Sequence, residues 1–156
     1  MRYYEPNFDI FVFQYEVREI FTRVFNAFLK GDLDYVQKCC GEQALNFFKE
    51  KLKLLKDKKC VHLNKELLFV SDMNFLEARF VDKKNSPIFI YQLRAQQQDC
   101  IISEVDGKVV EGGIHDIKSF NYILSFQVNE NPLLSELGHF WKIKELVETE
   151  VFKQII

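Results

Sequence analysis

Glycine and proline are scarce in this chain, six and three among 156 residues, which argues against long disordered stretches. No run of 18 or more apolar residues occurs, so no segment is expected to cross a membrane as a helix. The opening, MRYYEPNFD, has no basic region followed by an apolar stretch and a small-residue cleavage site, so it is not a signal peptide. Nor is it rich in Arg and Ser, so no transit peptide is visible. Charge of one sign is missing too. The formal net charge is −2, and no field that would draw in nucleic acid is expected.

Cysteine is present but unpatterned. Cys39, Cys40, Cys60 and Cys100 contain no C-x-x-C pair, and adjacent cysteines rarely bridge each other. Reduced, mostly buried thiols are the expectation. Cys60 and His62 are the only close metal-ligand types, too few for zinc. No metal or other cofactor is expected. No G-x-S-x-G, P-loop or G-x-G-x-x-G occurs. Asp99, His115, Asp116 and Tyr122 qualify for catalysis by residue type only, and no enzymatic activity is expected.

What is abundant is the aromatic ring: 16 Phe, 6 Tyr and one Trp, on a chain that is 47% hydrophobic. That content builds a ring-rich core within one domain over residues 1–156. The first half reads as helices. Val17, Ile20, Phe21, Val24, Phe25 and Phe28 fall on one face, with Arg18, Glu19, Thr22, Arg23 and Asn26 opposite. Gly31 ends that helix, and Asp32 caps a short second one to about Cys40. A third runs from about Glu42 to Lys58.

The second half reads as four long strands. Leu67–Val70 and Leu76–Val81 form one bent strand, and Ile88–Ala95 continues toward Val105. Asp106-Gly107 is a type I′ hairpin signal. Phe120, Tyr122, Leu124, Phe126 and Val128 then alternate with a mostly polar face. After a loop at Asn129–Leu137, Phe140–Val147 is the last strand. Gly112-Gly113 mark a bulge. The expected class is α+β, with the helices packed in a curved four-stranded antiparallel sheet.

Several segments, in order, resemble one family. They are E-P-N-F-D at 5–9, F-N-A-F-L-K-G-D-L-D at 25–34, the Cys39-Cys40 pair, and P-I-F-I-Y-Q-L-R-A-Q-Q-Q at 87–98. D-G-K-V-V-E-G at 106–112 is the most specific, and Trp141 matches a late tryptophan. Together they resemble the C-terminal domain of translocase of the inner membrane subunit 44. Gly113 departs from the pattern, where the family usually carries Asp. The family's N-terminal, chaperone-recruiting half has no counterpart in these residues.

The resemblance implies a nuclear-transport-factor-2-like cone. It implies a peripheral place on the matrix side of the mitochondrial inner membrane. The implied partners are presequence translocase subunits, the mitochondrial heat-shock chaperone and the anionic lipid cardiolipin. The expected role is a non-enzymatic adaptor of the protein import motor. A mitochondrial ribosome component using the same domain as a membrane-facing anchor is the alternative.

Three sets of residues carry this reading. Phe8, Ile10, Phe11 and Phe13, followed by Tyr15, could lie in a membrane interface. Lys49, Lys53, Lys56 and Lys59, in a lysine-rich run to which Glu50 and Asp57 are opposed, could meet anionic lipid. Phe80, Phe89, Tyr91, Tyr122 and Phe126 could line a pocket for an acyl chain or peptide. Each set has an ordinary alternative: rings closing the cone, a solvated helix face, and core. Glu111 is a candidate partner contact.

Overall fold

The apolar stripe of the first helix is the axis on which the rest assembles. In the computed structural model, which describes residues 10–80, 87–128 and 141–155, α1 runs Ile10–Lys30. Val17, Phe21, Val24, Phe25 and Phe28 are all buried along it. Gly31 takes φ +80°, donating to the Phe28 carbonyl while Asp32 donates to that of Ala27, at 2.9 and 2.8 Å. This paired closure satisfies two carbonyls that the helix end leaves open. Asp32 then caps α2 (Leu33–Cys39) by accepting from the Tyr35 N–H. After Gly41, α3 runs Glu42–Asp57, with Ala44 and Phe48 inward.

The polar side of α1 is not merely solvated. Arg18 donates through Nη2 to the Val70 carbonyl at 2.6 Å, and Asn26 Oδ1 accepts from the Leu67 N–H at 2.8 Å. The two residues clamp the segment that leads into the sheet.

Among the described residues six antiparallel strands follow: β1 (Cys60–His62), β2 (Phe69–Val70), β3 (Asn74–Phe80), β4 (Pro87–Ser103), β5 (Val109–Val128) and β6 (Trp141–Ile155). β1, β2 and β3 all pair with the same side of β4, which pairs with β5, which pairs with β6. The sheet is therefore four strands wide, and its first edge is broken in three where one bent strand was expected.

Ser71 shows why that edge breaks. Its N–H donates to the Arg94 carbonyl, but its side-chain Oγ, not a backbone carbonyl, accepts from the Arg94 N–H. A side chain standing in for the ladder ends β2, and pairing resumes at Asn74. β6 runs to Ile155, beyond the expected end at Val147. The expected loop at Asn129–Leu137 lies outside the described residues.

β5 has 20 residues, and at about 3.3 Å per residue it would extend roughly 65 Å if straight. Bulges bend it instead. Register shifts fall at Gln98/Cys100, Ile101/Ile102, Asn121/Tyr122 and Ser125/Phe126. At the expected Gly112 bulge, φ is +72°, and a Cβ would collide with the Asp99 carbonyl, so only glycine fits. The result is a curled open sheet with the helices on its concave side, an α+β cone of the expected type.

The hairpin lies at the expected place but is wider than a type I′ turn. Gly107 N–H donates to the Ser103 carbonyl and Ser103 N–H to that of Lys108, each at 2.9 Å, enclosing residues 104–107. Gly107 has φ +71° while Asp106 keeps negative φ, as a four-residue loop requires. Among the described residues, no helix is long and apolar enough to cross a membrane.

Candidate functional site

The helices do not fill the whole concave face. Toward one end lies a cavity of about 450 Å3, bounded by the C-terminal half of α1, α3, β1, β4 and β5. Its walls are Phe25, Phe28, Leu54, Phe120 and Tyr122, and its polar groups are Lys51, Lys58, His62, Gln97, Glu111 and Lys118. Such a mixture suits a ligand with an apolar body and an anionic group.

Each polar wall residue is held by its element. Gln97 and Lys118 are cross-strand partners on β4 and β5, and both project inward. Lys118 Nζ is 3.5 Å from the carboxylate of Asp99, which is itself buried. Lys51 lies on the inner side of α3, with Nζ 5.0 Å from the Phe47 ring centre and 4.0 Å from Glu148. Glu111 faces Ile101 across the ladder.

His62 is buried on β1, its ring edge-on to Phe28 with centres 5.8 Å apart. Burial, reinforced by Lys65 and Lys118, pushes its pKa down to about 4. It is neutral near pH 7. Burial, and then the Glu148 charge, push the Tyr122 hydroxyl well above the usual phenol range. Neither group is poised for proton transfer near neutrality.

Of the residues singled out by type, Tyr122 and Asp99 are buried, whereas His115 sits exposed on β5 next to the bulge. Cys60 is buried and donates from Sγ to the Lys58 carbonyl at 3.3 Å. Among the described residues no three His, Cys, Asp or Glu converge to hold a metal. The cysteines are free: Cys39, Cys60 and Cys100 are buried and Cys40 is half-buried. Burial raises the thiol pKa of Cys39, Cys40 and Cys100.

The structure divides the three expected sets. Phe8 lies outside the described residues, and Ile10 and Phe11 are described only as backbone of the first turn of α1. Phe13 is 2% exposed, its ring 5.0 Å from Phe89 and 4.6 Å from Trp141. It is core and offers nothing to a membrane, whereas Tyr15, two residues on, is 68% exposed. Lys49, Lys53 and Lys56 form an exposed row on the outer face of α3. Lys59 follows the helix, exposed, with φ 53°.

The expected pocket rings separate. Only Tyr122 lines the cavity. Phe89, Tyr91 and Phe126 are sealed at the opposite end, Tyr91 6.0 Å from both Phe13 and Phe126. There the N-terminal half of α1 fills the concave face, so inward rings become core. Phe80 is described only as backbone of β3. Sequence reasoning passed over Gln97 and Lys118. The signal was present, since Gln97 is in step with Leu93 and Ala95, and Lys118 with Phe120 and Tyr122.

Comparison with known proteins adds two findings. The family model described as "Tim44-like domain" matches residues 1–148. The chain is 24% identical over 149 residues to mitochondrial import inner membrane translocase subunit TIM44-1 of Arabidopsis thaliana, covering 94% of this chain and 31% of that protein. It is 22% identical over 144 residues to the TIM44 subunit of Saccharomyces cerevisiae, covering 92% of this chain and 33% of that protein. The chain thus spans about a third of the length of these curated relatives.

Proposed function

The chain belongs to the Tim44-like domain family, and from that membership we propose that it is a non-enzymatic adaptor in mitochondrial protein import. The reading rests on one observation: the family match runs over residues 1–148, nearly the whole chain, and both relatives are named as inner membrane translocase subunits. In this reading residues 1–156 act as one domain, peripheral on the matrix side of the inner membrane. It tethers the mitochondrial heat-shock chaperone to presequence translocase subunits.

Anionic lipid, cardiolipin in particular, is the proposed membrane ligand. The outer lysine row of α3 supplies attraction to the surface, at a strength that falls with salt. The cavity, with apolar walls and with Lys51, Lys58 and Lys118 against one wall carboxylate, Glu111, is the proposed seat for part of an anionic amphiphile.

The test is purification of the full-length protein from its own mitochondria, with identification of what accompanies it. Translocase subunits and the matrix heat-shock chaperone are expected. Ribosomal proteins in their place would overturn the import reading and assign the domain to the mitochondrial ribosome.

A further inference from the structure

The outer face of the sheet, opposite the helices, can be read row by row from the strand register. In one row Phe69 of β2, Gln96 of β4, Ser119 of β5 and Phe152 of β6 stand side by side. Gln96 Nε2 donates to Ser119 Oγ at 3.0 Å, and the phenylalanines at the two ends are 49% and 47% exposed. The next row is Arg94, Asn121 and Glu150, in which Arg94 Nε donates to Asn121 Oδ1 at 3.3 Å. The third is Gln92, Ile123 and Val147, the last of them half exposed. These three rows hold no lysine. Exposed aromatic rings and an arginine without lysine are the composition of a protein-binding surface.

The charge pattern says which protein. Arg94 and Glu150 are the only charged side chains in these rows, both exposed, one strand to either side of Asn121. A second copy turned about a two-fold axis along β5 lays its β6 over this β4, and its β4 over this β6. Arg94 of each copy then faces Glu150 of the other. Sheets packed face to face stand about 10 Å apart, a gap that extended Arg and Glu side chains span together. In the same arrangement Ile123 meets its counterpart on the axis. Phe152 of each copy lands on Gln96 of the other, beside Phe69. An unrelated partner requires no such symmetry, whereas a two-fold interface must be complementary to itself.

We propose that this outer sheet face is the interface of a symmetric dimer of the chain, centred on β5 and held in register by two reciprocal Arg94–Glu150 pairs. The inference stands apart from the import and lipid readings, because the cavity and the lysine row of α3 lie on the other side of the sheet. One row beyond Val147, Glu145 of one copy approaches Glu77 of the other. Arg79 binds Glu77 within its own copy and lies in the field of Glu145, which offsets that repulsion. The face measures about 19 by 30 Å, roughly 600 Å2, and the curl of the sheet lifts its margins from contact. That is small for a stable pair, so the dimer is weak and depends on concentration.

Sedimentation equilibrium of the whole chain tests this. The wild-type chain is expected to pass from monomer to dimer in the micromolar range. Arg94→Glu and Glu150→Arg, each alone, set like charges face to face and should weaken association about tenfold or more, with an unchanged melting midpoint. Mixed in equal amounts, the two single variants should pair with each other. The variant carrying both reversals should recover the wild-type association. A wild-type chain that stays monomeric, a dimer that ignores both reversals, or reversals that neither mixing nor the double variant rescues would each overturn the inference.

Discussion

Gln43, in the first turn of α3, pairs with the backbone of Leu146 as a neighbouring strand would. Its Nε2 donates to the Leu146 carbonyl at 3.1 Å, and its Oε1 accepts from the Leu146 N–H at 2.8 Å. The Gly41 N–H, two residues earlier, donates to the Ile143 carbonyl at 2.8 Å. The α2–α3 junction thus covers part of the β6 edge, where open backbone groups would invite pairing with another chain.

Gln43→Ala removes both side-chain bonds and leaves a donor and an acceptor of Leu146 without partners. A loss of about 1–3 kcal/mol is expected. Hydrogen exchange should show the Leu146 amide among the most accelerated in β6. Unchanged exchange there would mean that water replaces Gln43 at no cost.

Trp141 closes the sealed end of the cone. Its ring centre is 4.6 Å from Phe13 and 5.7 Å from Phe89, and it is buried. Trp141→Ala should cost about 3–5 kcal/mol, as large core truncations do. Chemical denaturation reads it directly. An unshifted midpoint would show that the cluster refills the void.

His62 links stability to pH. Its pKa is lowered to about 4 by burial, then by Lys65 and Lys118, against an ordinary value of 6.5. Between these values the unfolded chain binds a proton that the folded chain refuses. Stability is therefore undiminished above pH 6.5 and declines as pH falls toward 4. At pH 5 the loss is about 2 kcal/mol. His62→Gln should flatten this part of the pH–stability curve. If the variant keeps the same acid sensitivity, another group is responsible.

The outer lysines of α3 give a prediction for the proposed lipid contact. Lys49→Glu, Lys53→Glu and Lys56→Glu together should lower affinity for cardiolipin vesicles on the order of tenfold or more at low salt. The difference should shrink as salt is raised past about 0.15 M, where the Debye length is about 8 Å. Equal binding at low salt would remove these lysines from the interface.

Local pattern and local chemistry determined much of this molecule. The stripe from Val17 to Phe28, the Gly31 stop and the Asp32 cap set the end of the first helix and the whole of the second within a residue or so, while the start of the first helix at Ile10, seven residues before the stripe, was not marked. These depend on a 3.6-residue period and on backbone groups close in sequence. Asp106-Gly107 located the hairpin and Gly112 the bulge, because both need a backbone that glycine adopts without strain. Alternation along 119–128 marked one inward face of β5.

Tertiary structure decided what those inward faces meet. Phe126 and Tyr122 share one face of β5, yet one is core and the other lines a cavity, because the N-terminal half of α1 fills only one end of the concave sheet. Lys51 and Lys53 are two residues apart on α3, yet one lines the cavity and the other faces solvent. A two-residue step turns a helical side chain most of the way to the opposite face, and only packing decides which face is the inside. The breaks at Ser71 and the Gln43 clamp on β6 join residues far apart in sequence, which no local period encodes.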